Sequence, residues 1–351
     1  MVTQSLFGKK GVLLVNLGTP DAPTRGAVYR YLRQFLTDGR VIDIPWLPRQ
    51  FLVQGLIAPL RAGKSAKAYA DLWTESGSPL KFYGERVTEG VQELLGDEFI
   101  VRLAMRYQQP SIDEALNDLR REGVSEIIVF PMFPQYASAT TGSVHQEVMR
   151  LIQGWRNIPN LKLINSYYNY DPMIKIYADN ARDFDLDSYD HIFFSYHGLP
   201  QSQLRKADDN NHCLKAENCC QSIGLHNQYC YSAQCHATTR AIAEELGLAP
   251  DRYTTTFQSR LGPTAWVKPY TIDVLEERAK LGDKRILCFS PAFIADCLET
   301  IIEIGDEYQE EFEEMGGEKI DLVPSLNDNP AWISVIADLV KAQVCQPQPI
   351  S

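Results

Sequence analysis

The feature that most constrains the fold is an internal repetition. Eight short apolar runs, separated by helix-length segments, fall into two matching sets of four. The runs are Val12–Asn16, Ile100–Met105, Ile127–Met132 and Leu161–Ile164, then Ile192–Tyr196, Thr254–Phe257, Ile286–Phe289 and Ile320–Val323. Strands that are apolar along their whole length are covered on both faces, and intervening helices make such sheets parallel. Each set opens on a strand that ends in x-Gly-x-Pro: Leu17-Gly18-Thr19-Pro20 in the first, His197-Gly198-Leu199-Pro200 in the second. The third strands correspond as well, through Pro131-Met132-Phe133 and Pro291-Ala292-Phe293. The expected fold is therefore α/β, with two similar doubly wound domains. Each has a four-stranded parallel sheet flanked by helices, and the ligand cleft lies at the carboxyl ends of the strands. The expected boundary is near residue 165, giving domains 8–165 and 166–345.

With 44% apolar and 23% charged residues, the 351-residue chain is of ordinary globular composition. A net charge of −11 argues against a nucleic-acid partner, because phosphate binding needs clustered Lys and Arg. No secretory leader pattern and no uninterrupted apolar run of spanning length is visible. The most apolar stretch, 41–60, is broken by Asp43, Arg49, Gln50 and several prolines. It suits lying on a membrane, not crossing one.

The halves differ in their polar residues. Leu17 stands in the first where His197 stands in the second, at a strand end that points into the cleft. An imidazole there can take a proton near neutral pH; the plain alternative is a histidine bonded to a neighbouring loop. Glu299, Glu303 and Glu307 recur at i, i+4 and i+8. On an α-helix they form one carboxylate stripe rising roughly 6 Å per step. Oxygen donors in a row can pass a divalent cation along without trapping it, although many such stripes are solvated acidic faces. Arg260, in Phe257-Gln258-Ser259-Arg260, and Arg106, in the matching Met105-Arg106-Tyr107, are candidate carboxylate binders or surface arginines.

Five segments together resemble the signature segments of ferrochelatases, in family order and over nearly the whole chain. They are Gly11-Val-Leu-Leu-Val-Asn-Leu-Gly-Thr-Pro20, Phe133-Pro-Gln-Tyr-Ala-Ser-Ala-Thr-Thr-Gly-Ser143, Phe194-Ser-Tyr-His-Gly-Leu-Pro200, Thr256-Phe-Gln-Ser-Arg-Leu-Gly-Pro263 and Cys297-Leu-Glu-Thr300. The resemblance implies a lyase that inserts Fe2+ into protoporphyrin IX to form protohaem, with release of two protons. It implies that His197 accepts a pyrrole N–H proton and that Glu299 faces it across the porphyrin, both meeting the substrate Fe2+. Glu303 and Glu307 then line the metal's path. Leu17, Arg106, Tyr107, Tyr136, Ser138 and Arg260 fall in segments that bind porphyrin. Residues 31–60, with Trp46, Leu47, Phe51, Leu52 and Leu56, match an apolar lip that admits porphyrin from a membrane surface. The implied setting is a bacterial cytoplasm, with peripheral contact to the inner membrane face. The rival readings are a chelatase for coproporphyrin or another tetrapyrrole and metal, and a non-catalytic porphyrin or haem carrier with an iron-sensing cluster.

The stretch 205–235 departs from the simple pattern. Cys213, Cys219, Cys220, Cys230 and Cys235 lie within 23 residues, spaced Cys-x5-Cys-Cys-x9-Cys-x4-Cys. This fits neither paired zinc knuckles nor the common ferredoxin spacings. Some microbial ferrochelatases carry a [2Fe–2S] cluster with ligands in differing places. That resemblance implies a four-cysteine cluster here, with Cys213, Cys230 and Cys235 joined by Cys219 or Cys220, since adjacent cysteines rarely point the same way. The alternatives are zinc, with His212 or His236, free thiols in a loop, or a disulfide. Cys297 reads as a packed helix residue.

Overall fold

The structure is a computed structural model that describes residues 8–216 and 218–344. All eight expected strands form, within two residues of their expected limits. They are β1 (Lys10–Asn16), β2 (Phe99–Met105), β3 (Glu126–Pro131), β4 (Asn160–Leu163), β5 (His191–His197), β6 (Tyr253–Gln258), β7 (Arg285–Phe289) and β8 (Lys319–Leu322). They make two all-parallel sheets with the same strand order, β2-β1-β3-β4 and β6-β5-β7-β8.

The order explains where a ligand must sit. In each sheet the chain leaves the first strand to one side, then crosses to the other, so the switch point lies between β1 and β3 and between β5 and β7. Crevices open at the carboxyl ends of such strand pairs. Leu17 and the 132–137 loop flank the first crevice; His197 and the 290–297 loop flank the second.

Local sequence sets the connecting helices. Ser111 and Glu114 close a reciprocal capping box that starts helix Ile112–Arg121, whose Ile112, Ala115, Leu116 and Leu119 turn inward. Gly18 has φ +116° and could carry no side chain, because a Cβ would lie 1.9 Å from the Tyr107 carbonyl oxygen. That close approach lets Tyr107 N–H donate to Leu17 O at 2.9 Å and seals the end of β1 against β2.

One apolar cluster runs through both halves, from Val12 and Phe130 to Phe194, Phe289 and the fully buried Trp332. Trp332 belongs to the last helix, Pro330–Gln343, which packs on helix Pro79–Leu95 of the first half. Gly90 permits the approach: a Cβ there would meet Ile333 Cδ1 at 2.8 Å.

Two helices depart from α geometry at corresponding places. Ser138–Gly142 after β3 and Leu298–Glu307 after β7 are both π-helical. A third π turn, Val53–Ile57, joins helices Trp46–Leu52 and Ala58–Leu72. Such i→i+5 turns are rare and concentrate at functional sites. The acidic stripe therefore runs along a ten-residue π-helix, where the sequence pattern led us to expect an α-helix. A local cause is at hand, because Gln258 Nε2 donates to the Glu299 carbonyl at 2.9 Å. A side chain inserted into the helix's own bond ladder distorts it in this way.

Candidate functional site

His197 closes β5, as expected, and lies directly across from Gln258 of β6. Its Nδ1 donates to the Gly198 carbonyl at 2.7 Å, and Nε2 has no hydrogen-bond partner among the described residues. Trp266 and Phe293 flank the imidazole, each with its ring centre 6.4 Å away. The His197 carbonyl accepts from Tyr231 Oη at 2.9 Å. Gly198 completes the mount: a Cβ there would press the Gln258 carbonyl at 2.8 Å, the oxygen that Gly198 N–H bonds at 2.9 Å.

The three stripe carboxylates grade outward. Glu299 and Glu303 are half-buried and Glu307 is exposed. Glu303 is held on both oxygens: Oε2 accepts from Ser259 Oγ at 2.6 Å and Gln258 Nε2 at 3.0 Å, and Oε1 accepts from Tyr308 Oη at 3.3 Å. Glu299 is hydrogen-bonded with the Cys297 thiol, whose pKa burial and the nearby Glu299 charge push well up. Cys297 is thus a packed residue that also touches the candidate site. The buried Tyr31 and Tyr69 of the first half stand close enough to Glu299 to feel its charge. Leu298 and Ile302 pack into the cluster that contains these tyrosines and Leu17, joining the π-helix to the first half.

The remaining candidates are placed differently from one another. Tyr136 and Ser138 line two adjoining open pockets beside the cleft, which His197 and Glu299 do not line. Arg106 donates from Nη2 to Asp38 Oδ2 at 2.8 Å and from Nε to Ser143 Oγ at 2.7 Å. Tyr107 has no exposed surface, and its hydroxyl also donates to Asp38, at 2.9 Å. These two residues brace the pocket wall from behind. Arg260 is exposed and stacks on Tyr270, its guanidinium carbon 4.7 Å from the ring centre.

Three residues that the sequence reading passed over belong to the site. Asp38 gathers Arg106, Tyr107, Ser143 and the Arg40 backbone N–H. Arg40 Nη1 reaches Ser138 Oγ at 2.8 Å and lines a pocket with Tyr136, Lys206, Asp43 and Asp209, in which Lys206 is paired with Asp43 at 2.5 Å. Gln258 links His197's strand to the stripe. Its signal was present in the quoted Phe257-Gln258-Ser259-Arg260 segment, where the arginine drew the eye.

The cysteine-rich stretch walls the pocket beside the cleft: Cys213, Cys219 and Cys230 line it with Tyr136 and Ser138. Gln234 Oε1 accepts from Tyr136 N–H at 2.7 Å. Cys213 and Cys220 are both hydrogen-bonded with Cys230, so the bond to Cys230 lowers the Cys213 pKa while that of Cys230 is raised to about 11. Cys219 and Cys220 do turn the same way, with their sulfurs 3.7 Å apart, contrary to the expectation for neighbours. Cys235 is fully buried and bonded with Tyr231. His236 lies edge-on to Phe257, and His212 stacks with His226. Among the described residues, no three His, Cys, Asp or Glu side chains are arranged to enclose a metal ion.

Comparison with known proteins agrees with this architecture. The ferrochelatase family model matches residues 9–344. The ferrochelatase of Legionella pneumophila strain Corby is 43% identical over 96% of this chain and 100% of its own length. That of Bdellovibrio bacteriovorus is 43% identical over 96% and 100%, and that of Coxiella burnetii strain Dugway 42% over 95% and 93%. In structure, the sirohydrochlorin chelatase SirB of Bacillus subtilis subspecies spizizenii superposes with a TM-score of 0.51 at 10% identity, covering 95% of this chain and 94% of that one, a likeness of fold alone. With the family model spanning both sheets and relatives matched over nearly their full lengths, the chain belongs to the ferrochelatase family.

Proposed function

We propose that the chain is a lyase inserting Fe2+ into protoporphyrin IX, with His197 taking the pyrrole protons and Glu299 meeting the metal. The observation that carries this reading is the link through Gln258. It ties the strand end bearing His197 to the helix bearing Glu299 and Glu303, at the switch point where a ligand belongs. Insertion needs two N–H protons to leave while a dication arrives, so a base and a set of carboxylates must serve one macrocycle. With Nδ1 spent on the Gly198 carbonyl, His197 offers Nε2 as acceptor. The Glu307-to-Glu299 gradient from exposed to half-buried supports inward transfer of hard cations on oxygen donors. A shared core favours a rigid clamp, formed by halves divided near residue 165, that can hold the macrocycle bent. Arg40 suits the porphyrin's anionic edge, with Tyr136 and Ser138 beside it; Leu17 closes the apolar side. Family membership does not favour the carrier or the alternative chelatase. Turnover on a panel of protoporphyrin, coproporphyrin and sirohydrochlorin with Fe2+ and Co2+ tests the assignment. Protoporphyrin with Fe2+ is expected to give the highest kcat/KM.

The lip supports peripheral membrane contact in a bacterial cytoplasm. Trp46 and Phe51 are 65% and 72% exposed, with Leu47, Leu56 and Leu60 beside them. No helix among the described residues is long and apolar enough to cross a bilayer. Replacing Trp46 and Phe51 together by serine should weaken sedimentation with phospholipid vesicles at least about tenfold, from the lost apolar area. Insertion of detergent-dispersed porphyrin should be nearly unchanged.

For the cysteines we propose a [2Fe–2S] cluster held by four of Cys213, Cys219, Cys220, Cys230 and Cys235. What supports the reading is the donor set, in which Cys213, Cys230, Cys220 and Cys219 are joined by thiol–thiol hydrogen bonds; they do not already enclose a metal ion. Such a cluster supplies one-electron redox chemistry when bound. Anaerobically purified protein should be red-brown, with about two irons and two acid-labile sulfides per chain. Colourless protein without sulfide would leave a plain thiol pocket.

A further inference from the structure

We infer that Gln258 is a positioning residue that holds the Glu303 carboxylate and the helix backbone at Glu299 at a fixed station relative to His197. It goes beyond the roles of His197 and Glu299 and rests on that reading of them. Gln258 is 1% exposed, at the last position of β6. Both ends of its amide are committed. Oε1 accepts from Ser195 Oγ at 2.7 Å, while Nε2 donates to the Glu299 carbonyl at 2.9 Å and to Glu303 Oε2 at 3.0 Å. A flipped amide would set its oxygen against a carbonyl and a carboxylate, so only one orientation is tolerable. The backbone of the same residue receives Gly198 N–H at 2.9 Å. One buried residue thus spans, through its backbone carbonyl and its side chain, from the residue after His197 to two consecutive positions of the stripe.

Its neighbour reinforces the arrangement. Ser259 adopts φ +63°, a left-handed conformation that costs a non-glycine residue energy, and this places its hydroxyl 2.6 Å from Glu303 Oε2. With Tyr308 on the other oxygen, Glu303 is held in place by neutral donors on every side the structure records. The middle member of the stripe is therefore a stationary post, and the freedom to follow a cation is left to Glu299 and Glu307. Loss of the Gln258 amide removes one of the three donors that hold Glu303 and relaxes the π-helix at Glu299. The consequence falls on metal delivery, while the porphyrin pocket around Tyr136, Ser138 and Arg40 keeps its contacts.

The test is steady-state insertion by Gln258→Leu with Fe2+ and protoporphyrin varied separately, alongside porphyrin affinity from fluorescence quenching. The expected result is a rise of about tenfold in KM for Fe2+ and a fall of similar size in kcat, with porphyrin affinity within about twofold of the parent. In a Glu303→Gln background the same substitution should add much less than it does alone, because the two act through one contact. Should Gln258→Leu not accumulate as folded protein, Ser195→Ala carries the test. It removes only the hydroxyl that orients the amide and should give the same split at a few-fold. Unchanged Fe2+ kinetics, a parallel fall in porphyrin affinity, or full additivity with Glu303→Gln overturns the positioning role. Glu299→Ala in the same assay separates the two layers. Unchanged turnover there overturns the site assignment itself, whereas lost turnover with a neutral Gln258→Leu overturns only this inference.

Discussion

Replacing His197 by alanine is expected to lower kcat for iron insertion by about three orders of magnitude, the range for loss of a positioned proton acceptor. Protoporphyrin should still bind. The distinction follows from how the residue is mounted. Its backbone is fixed by the bond of Gly198 N–H to the Gln258 carbonyl and by Tyr231 Oη on its own carbonyl, neither of which uses the imidazole. Among the described residues the ring bonds the protein only through Nδ1, to the Gly198 carbonyl, and its walls are aromatic. Truncation therefore removes the acceptor at Nε2 and leaves the strand end where it was. Stopped-flow insertion and fluorescence binding on the same preparation check both halves of the expectation. A protein whose task is to carry porphyrin would show no turnover in the parent, so the comparison also decides between enzyme and carrier. Full turnover in the variant would show that pyrrole protons leave by another route.

The difference between what the sequence reading found and what it passed over has a physical basis. Strands apolar on both faces announce a covered parallel sheet, and all eight were placed within two residues because their signal is local. His197 was found because a strand end, a glycine and a proline fix its surroundings within a few positions. The stripe was found as a pattern, but its helix type was not, because π geometry depends on a carbonyl taken by Gln258 from 41 positions away. Asp38 was invisible for the same reason. A lone aspartate after helix Arg25–Leu36 becomes notable only when Arg106 and Ser143, 68 and 105 positions distant, close on it. Arg106 and Tyr107 were read as ligand-facing because their segment lines the pocket in relatives. Only the third dimension shows that their polar ends turn toward Asp38. The vicinal cysteines teach the converse, since the usual divergence of neighbouring side chains does not hold in the irregular turn at Cys219 and Cys220.

The second large effect is one of stability. Asp38→Ala should destabilise the protein by about 3–5 kcal/mol at neutral pH, because it strands a largely buried guanidinium. The Arg106 and Asp38 side chains are only 16% and 9% exposed, and their bond is 2.8 Å long. Burial alone pushes the Asp38 carboxyl up, but the Ser143 hydroxyl, the Arg40 N–H, the Arg106 charge and the Tyr107 hydroxyl outweigh it, and the net pKa is lowered. The sign of the pH dependence follows. A carboxyl depressed in the folded state stabilises fully above its unfolded pKa, about 3.9, and that stabilisation is lost as pH falls through the folded value. Urea unfolding of parent and variant should thus differ most from pH 5 upward and converge in acid below about pH 4. The double replacement Asp38→Leu with Arg106→Met should recover much of the loss, since an apolar pair leaves no charge buried and unpaired. Should it recover stability but not porphyrin affinity, the carboxylate's second task is exposed. Asp38 also receives the Arg40 backbone N–H at 2.7 Å, and Arg40 is the cation that reaches Ser138 at the pocket's edge. One buried carboxylate then serves both the fold of the first half and the aim of Arg40, the residue proposed to meet the substrate's anionic edge.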